Sequence, residues 1–229
     1  RTGVGTNAAQ NGFSVSISGT KAIVGAPYRI LSSNSTGAAY ILSFDGTTWT
    51  QGPSPLILSA SDGQADDSFG FSVGISGDRA IVGAYGEDAG GSAAGAAYVY
   101  SLQSGTWQQD AKLVADNAGS SDNFGYSVAI SGDTAVIGAF QEDTKASNAG
   151  AAYVFTYSDG SWSQTTMLTA SDGGFSDGFG RAVDISSNTI VVGSYSDDDS
   201  VSNSGAAYVY TLSGGTWSQT QKLKASDPG

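Results

Sequence analysis

The chain has no cysteine and no histidine, one methionine and four prolines among 229 residues. Without thiolate or imidazole it cannot build the usual zinc or copper sites, a cysteine nucleophile, or a triad that relies on an imidazole base. The missing cysteines leave the compartment open, because a domain of this length buries enough surface without disulfides. Positive charge is scarce as well: 9 Lys plus Arg against 21 Asp plus Glu give a formal net charge of −12. Such a surface repels phosphate backbones and anionic headgroups, which argues against nucleic acid as a partner. No apolar run approaches the roughly 20 residues of a bilayer-spanning helix, so membrane insertion is not expected. The N-terminus lacks a charged-then-apolar leader, so secretion would require that a signal had been removed before Arg1. Charged residues make up 13% of the chain and glycine contributes 33 residues. Solubility resting on neutral polar groups suits an extracellular β protein.

What is present is repetition. Phe69-Gly70, Phe124-Gly125 and Phe179-Gly180 recur at equal spacing, with Asn11-Gly12 in the corresponding place of a first copy. Downstream stand Gly25-Ala26-Pro27, Gly83-Ala84-Tyr85, Gly138-Ala139-Phe140 and Gly193-Ser194-Tyr195, then a Gly-Ala-Ala-Tyr run from Gly37, Gly95, Gly150 and Gly205. Each copy carries one tryptophan: Trp49, Trp107, Trp162 and Trp217. The third copy shows the local code. Tyr126, Val128 and Ile130 alternate with smaller residues, Ser131-Gly132-Asp133 turns the chain, and Ala135 to Ala139 is apolar on both faces, as a covered strand must be. Ala151 to Tyr157 and the more polar Trp162 to Thr169 complete four strands. Four antiparallel strands repeated about every 50 residues mark a propeller blade, and no segment keeps a helical period.

The FG dipeptide, the apolar strand ending in GAP or GAY, and the tyrosine after GAA together resemble the FG-GAP repeats of the integrin α-subunit type of β-propeller. The resemblance implies blades around a central axis, a cell-surface or extracellular location, and a role in adhesion, recognition or matrix architecture. In that family a calcium loop lies between the FG and GAP strands. Here the equivalent segments Ser18-Gly19-Thr20, Ser76-Gly77-Asp78, Ser131-Gly132-Asp133 and Ser186-Ser187-Asn188 are too short and too poor in oxygen ligands to enclose Ca²⁺.

Carboxylates gather elsewhere. Asp62 with Asp66 and Asp67, Asp116 with Asp122, and Asp172 with Asp177 precede the FG dipeptides, and Glu87-Asp88, Glu142-Asp143 and Asp197-Asp198-Asp199 follow the GAP strands. Copy one breaks both patterns, with Ala9 and with Arg29-Ile30-Leu31. Two readings stand open. Asp62, Asp67, Asp116, Asp122, Asp172 and Asp177 supply hard ligands for Ca²⁺, or Asp62, Asp116 and Asp172 accept backbone N–H bonds in Asx-turns, the preferred account. Recurrence of one pair in like surroundings argues against a glycosidase, which needs two carboxyl groups with separated pKa values. The four tryptophans either stack on sugar rings or cover blade edges. Asn34-Ser35-Thr36 is a glycosylation sequon in a composition where coincidence is common.

The expected architecture is one all-β domain over residues 1–229, a propeller of four blades with four antiparallel strands each, from repeats at about 10–58, 68–114, 123–169 and 178–224. A part of a larger propeller, or of an end-to-end assembly, is the alternative. The residues beyond Ala225 and before Gly12 suffice to span one connection, so copy four is expected beside copy one in a closed ring. Function is expected to be non-catalytic: a recognition or structural module meeting protein or glycan at the cell surface or matrix. A glycan-binding lectin and a self-assembling filament subunit are the alternatives, with Ca²⁺ as the one candidate cofactor.

Overall fold

A computed structural model describes residues 10–31, 37–51, 57–198 and 202–226. Ala9, the Asn34 sequon, Pro53, Pro55, Asp199 and the chain ends lie outside the described residues. The described secondary structure is all β. The first sheet holds β1 (Ser14–Ser18), β2 (Lys21–Ala26), β3 (Ala38–Phe44), β4 (Trp49–Gln51) and β5 (Ile57–Leu58). The second holds β6 (Ser72–Ser76), β7 (Arg79–Ala84), β8 (Ala96–Gln103) and β9 (Thr106–Leu113). The third holds β10 (Ser127–Ser131), β11 (Thr134–Ala139), β12 (Ala151–Ser158) and β13 (Ser161–Leu168). The fourth holds β14 (Phe179–Ser186), β15 (Thr189–Ser194), β16 (Ala206–Ser213) and β17 (Thr216–Leu223). Every sheet is an antiparallel meander in chain order, and in the first blade β4 and β5 both pair with β3 as a divided fourth strand.

Local chemistry sets the hairpins. In the third blade Ser131 pairs with Thr134 around Gly132, whose φ is 57°, a two-residue turn opening on a left-handed residue. The fourth blade makes the same turn with Ser187 at φ 52°. Because successive strand residues face opposite sides, each central strand feeds two interfaces. Ile81, Ala97 and Val99 of the second blade pack against Phe124, Val128, Ile130 and Tyr153 of the third, while Val82, Ala96 and Tyr98 turn to Ile23 and Ile41 of the first. A third cluster joins blades three and four through Val136, Val154, Phe179, Val192 and Tyr208.

The repeat signature records how blades touch. Phe69, Phe124 and Phe179 are fully buried, and each pairs by a parallel bridge with Gly37, Gly95 or Gly150 of the preceding blade. A Cβ at Gly25, Gly83 or Gly138 would lie 2.0, 2.0 and 1.9 Å from the carbonyl oxygen of Gly70, Gly125 and Gly180. Both the GAP glycine and the GAA glycine are therefore seats cut for the FG segment of the next blade. Ser14, Ser72 and Ser127 donate a hydroxyl bond to the same three carbonyls, at 3.0, 2.8 and 2.7 Å.

Among the described residues the ring does not close. Gly193, the fourth seat, would meet only Ala182 atoms beyond 3.5 Å with its Cβ, and Gly12 of the first copy would meet nothing within 4 Å. Val15 and Ile17 of β1 are 70% and 65% exposed, whereas their counterparts Val73 and Ile75 are 8% and 5%. The reason lies in the sequence of the two end blades. Asn11 replaces the phenylalanine plug, Ala182 replaces the hydroxyl donor, and Asp184 puts a carboxylate where Ser16, Gly74 and Ala129 are small. The molecule is a four-blade arc whose inner strands β1, β6, β10 and β14 flank a channel of about 330 Å³.

Candidate functional site

The meander sorts the connections between two ends. Short turns join the first strand to the second and the third to the fourth, and the longer loops that carry the acidic residues gather at the opposite end. There the second blade folds Lys112 inward, with Nζ 2.6 Å from Asp62 Oδ2 and 2.7 Å from Glu87 Oε1, while the Tyr98 hydroxyl donates to Asp62 Oδ1 at 2.9 Å. The fourth blade repeats this with Lys222, 2.8 Å from Asp172 and 2.9 Å from Asp197, beneath Tyr208. Partial burial pushes Asp62 and Asp172 upward, but the lysine ammonium and the tyrosine hydroxyl outweigh it and hold both below the ordinary carboxylate value.

The third blade departs from its neighbours. Asn117 and Met167 stand in place of the aspartate and the lysine, so the buried Glu142 takes its bonds on Oε1 from Asn117 at 3.0 Å and from Thr144. Its Oε2 is buried with no partner. The sequence pairing of Asp116 is thus corrected by one position. Asp116 aligns with Ser61 and Ser171, whose backbone N–H groups, like its own, donate to Gln109, Gln219 and Gln164 respectively. Asp67, Asp122 and Asp177 are equivalent and buried, accepting the backbone N–H of Gln64, Gly119 and Gly174 at 2.7, 2.7 and 2.6 Å. Desolvation pushes Asp122 up to about 6, with the Glu142 and Asp143 charges adding to it against the Gly119 bond.

Five of the six aspartates therefore serve two jobs: Asp67, Asp122 and Asp177, in place of the expected Asp62, Asp116 and Asp172, are the loop-closing acceptors, and Asp62 and Asp172 are partners of a lysine that occupies the space between carboxylates. Among the described residues no three acidic side chains converge as a metal cage. At the other end Asp78 and Asp133 ion-pair with Lys21 and Arg79 of the preceding blade, at 2.9 and 3.0 Å. Sequence reasoning missed Lys112, Lys222 and the three glutamines. Their signal was available, since each keeps one place in its repeat. It also missed the row formed by the residues after each FG: Phe13 and Phe71 lie 4.8 Å apart, Phe71 and Tyr126 4.7 Å, and the Arg181 guanidinium sits 4.1 Å over Tyr126.

A family model for the FG-GAP repeat matches residues 5–42, 56–100, 107–155 and 162–210. The chain belongs to the FG-GAP repeat family. From the second match onward each FG-GAP unit starts in the fourth strand of one blade and ends in the third strand of the next, so the family's unit spans the boundary that the FG segment crosses. No curated protein sequence matches the chain. Among solved structures the FG-GAP arc is similar to a protein described as a putative 6-phosphogluconolactonase from Bacteroides uniformis ATCC 8492, with a TM-score of 0.59 and 15% identity. The alignment covers 93% of this chain and 57% of that one, so the arc spans little more than half of that propeller's length.

That likeness corrects one expectation. Like blades in a ring were expected to exclude catalysis, yet a propeller of the same architecture is described as an enzyme. The fold leaves catalysis open, and at this identity it carries no reaction to this chain. None of the described residues forms a helix long and apolar enough to cross a bilayer.

The tryptophans are not four equal platforms. Trp107 is 2% exposed, inside the core between blades one and two, Trp162 and Trp217 are partly buried against the next two cores, and Trp49 is 44% exposed. Each packs toward the preceding blade, and Trp49 has none.

Proposed function

We propose that this FG-GAP arc is a recognition and scaffolding module of the cell surface or matrix, meeting a protein partner through its acidic loop end. One observation supports it most: Lys112 and Lys222 at that end are folded between carboxylates and Lys145 is turned onto the carbonyls of Ala170 and Ser171, leaving Asp66, Asp88, Asp116 and Asp143 turned to solvent. A surface so arranged favours a basic partner through long-range attraction that salt screens over about 10 Å at 0.1 M.

The test is attachment of beads carrying the chain to matrix-coated wells and to cells. Attachment should fall with added salt and with the combined change Asp66→Asn, Asp88→Asn and Asp143→Asn. It should persist with Asp45→Asn and Asp159→Asn, which lie in turns at the other end. Equal loss from both sets, or no salt dependence, would remove the loop end as the contact surface.

A second reading concerns assembly, favoured by the empty seat at Gly193 and the bare face of β1. The seat is shaped for a Phe-Gly segment, so its occupant is another FG-bearing blade. Sedimentation velocity of the chain mixed with a peptide copying residues 120–131 would show the complex, and a Gly193→Leu variant that still bound the peptide would refute it.

A further inference from the structure

The end of the arc that carries the short turns has a groove at successive blade boundaries, built from matching positions. Between blades two and three the Arg79 guanidinium lies 3.9 Å over the Tyr157 ring and 5.5 Å from Trp162. Asp110 and Asp133 hold it at 3.6 and 3.0 Å. Between blades three and four the same places carry Thr134, Leu212, Trp217, Thr165 and Asn188. The tryptophan is kept, while the cation, both of its carboxylates and the second ring are gone together.

The two cavities are of similar size, about 310 and 350 Å³, and their walls differ in chemistry. Thr134 stands where Arg79 does, so no guanidinium reaches the Trp217 ring from that position. Thr134, Thr156, Thr165 and Thr166 line the second groove opposite Trp217. Thr165 Oγ1 donates to the Val154 carbonyl at 3.1 Å and lies 3.4 Å from Thr156 Oγ1, which leaves acceptor pairs on both hydroxyls.

We propose that the groove between the third and fourth blades is a carbohydrate subsite that takes one neutral pyranose ring. A flat aromatic wall suits the C–H face of a sugar, and facing hydroxyls without formal charge suit its O–H groups. The lost ion pairs weigh against a cationic guest, because no carboxylate remains at the Asp110 and Asp133 positions. The net charge of −12 weighs against uronic or sialic acids. The subsite gives the recognition reading above a second kind of ligand and draws on that reading for its purpose alone.

Saturation-transfer NMR with methyl β-D-glucoside, methyl β-D-galactoside, methyl α-D-mannoside and methyl β-D-glucuronide tests the subsite. At least one neutral glycoside should bind saturably in the millimolar range, more tightly than the glucuronide. Trp217→Ala should weaken it tenfold or more, and Trp162→Ala should leave it unchanged. The combined change Thr134→Arg, Thr165→Asp, Leu212→Tyr and Asn188→Asp copies the neighbouring groove, so the chain should stay folded and lose the sugar. Failure of every neutral glycoside to bind, or binding that survives both the Trp217→Ala and the four-residue change, overturns the proposal. Absence of sugar binding by the unaltered chain, with its bead attachment intact, would sink the groove and leave the loop-end reading standing.

Discussion

Asp122 shows how one buried carboxylate can shape the pH response of the molecule. Its folded pKa lies near 6 against an ordinary 3.8, so between those values the folded form holds a proton that the unfolded form has lost. Stability contributed by this group therefore falls as pH rises from about 4 to 6. Asp67 and Asp177 are shifted up by the same desolvation and act in the same sense. Asp62 and Asp172 are shifted down and act oppositely, since their contribution is lost as pH falls through their lowered values. Urea midpoints should thus peak in the mildly acidic range, and Asp122→Asn should flatten the decline above that peak. A decline of unchanged steepness in the variant would assign it to other groups. Ser187 carries a different local cost. It takes φ 52° where the other three turns use Gly19, Gly77 and Gly132 at 56° to 58°. Left-handed backbone costs a side-chain-bearing residue about 1–2 kcal/mol, partly offset in glycine by its freer unfolded chain. Ser187→Gly should therefore stabilise by about 0.5–1 kcal/mol in equilibrium unfolding, and a loss of stability would show that the serine makes a compensating contact.

At the scale of the element, the lysine clasp and its absence in one blade form a natural experiment. Lys112 bridges Asp62 to the buried Glu87, and removing only the lysine leaves two carboxylates facing each other without compensation. Lys112→Met should cost about 2–3 kcal/mol. Adding Asp62→Asn should recover much of that loss, because the third blade already combines Asn117 with Met167 around Glu142. A double-mutant cycle checks this, and additive losses would mean that the asparagine does not substitute for the ammonium. The strands and turns around the clasp were legible in sequence because period-two alternation and Ser-Gly-Asp turns state them locally. The clasp itself was not, since Lys112 and Asp62 come from separate segments and only strand pairing brings them together. Asp116 misled because an acid beside the true position imitates the pattern: the repeat spacing that carries Phe69 to Phe124 carries Asp62 to Asn117, and it is Asn117 that accepts the Tyr153 hydroxyl. Trp107 and Trp49 occupy one repeat position and differ in burial because one has a preceding blade and the other does not.

The whole molecule is an arc because the contacts that weld blades reside in a few residues that its ends lack. Repeat number, strand order and blade content could be read from the sequence, for each copy states them again. Closure could not, because it depends on whether Asn11 and Asp184 can replace a phenylalanine plug and a small residue across a boundary that only three dimensions define. Stability in such an array is close to a sum of blades and nearest-neighbour interfaces, so each face matters only where a neighbour covers it. Position-matched substitutions therefore measure the arc directly. Ile75→Ala, in the core shared by blades one and two, should cost about 2–4 kcal/mol. Ile17→Ala, at the same repeat position but 65% exposed, should cost about 0.5 kcal/mol or less. Guanidinium unfolding of dilute protein should separate the two by several-fold. Equal losses at low concentration would mean that β1 is covered within one molecule and the ring closes after all. A loss at Ile17 that grows with protein concentration would instead place a second molecule on that face, since stabilisation by an associating partner follows its concentration.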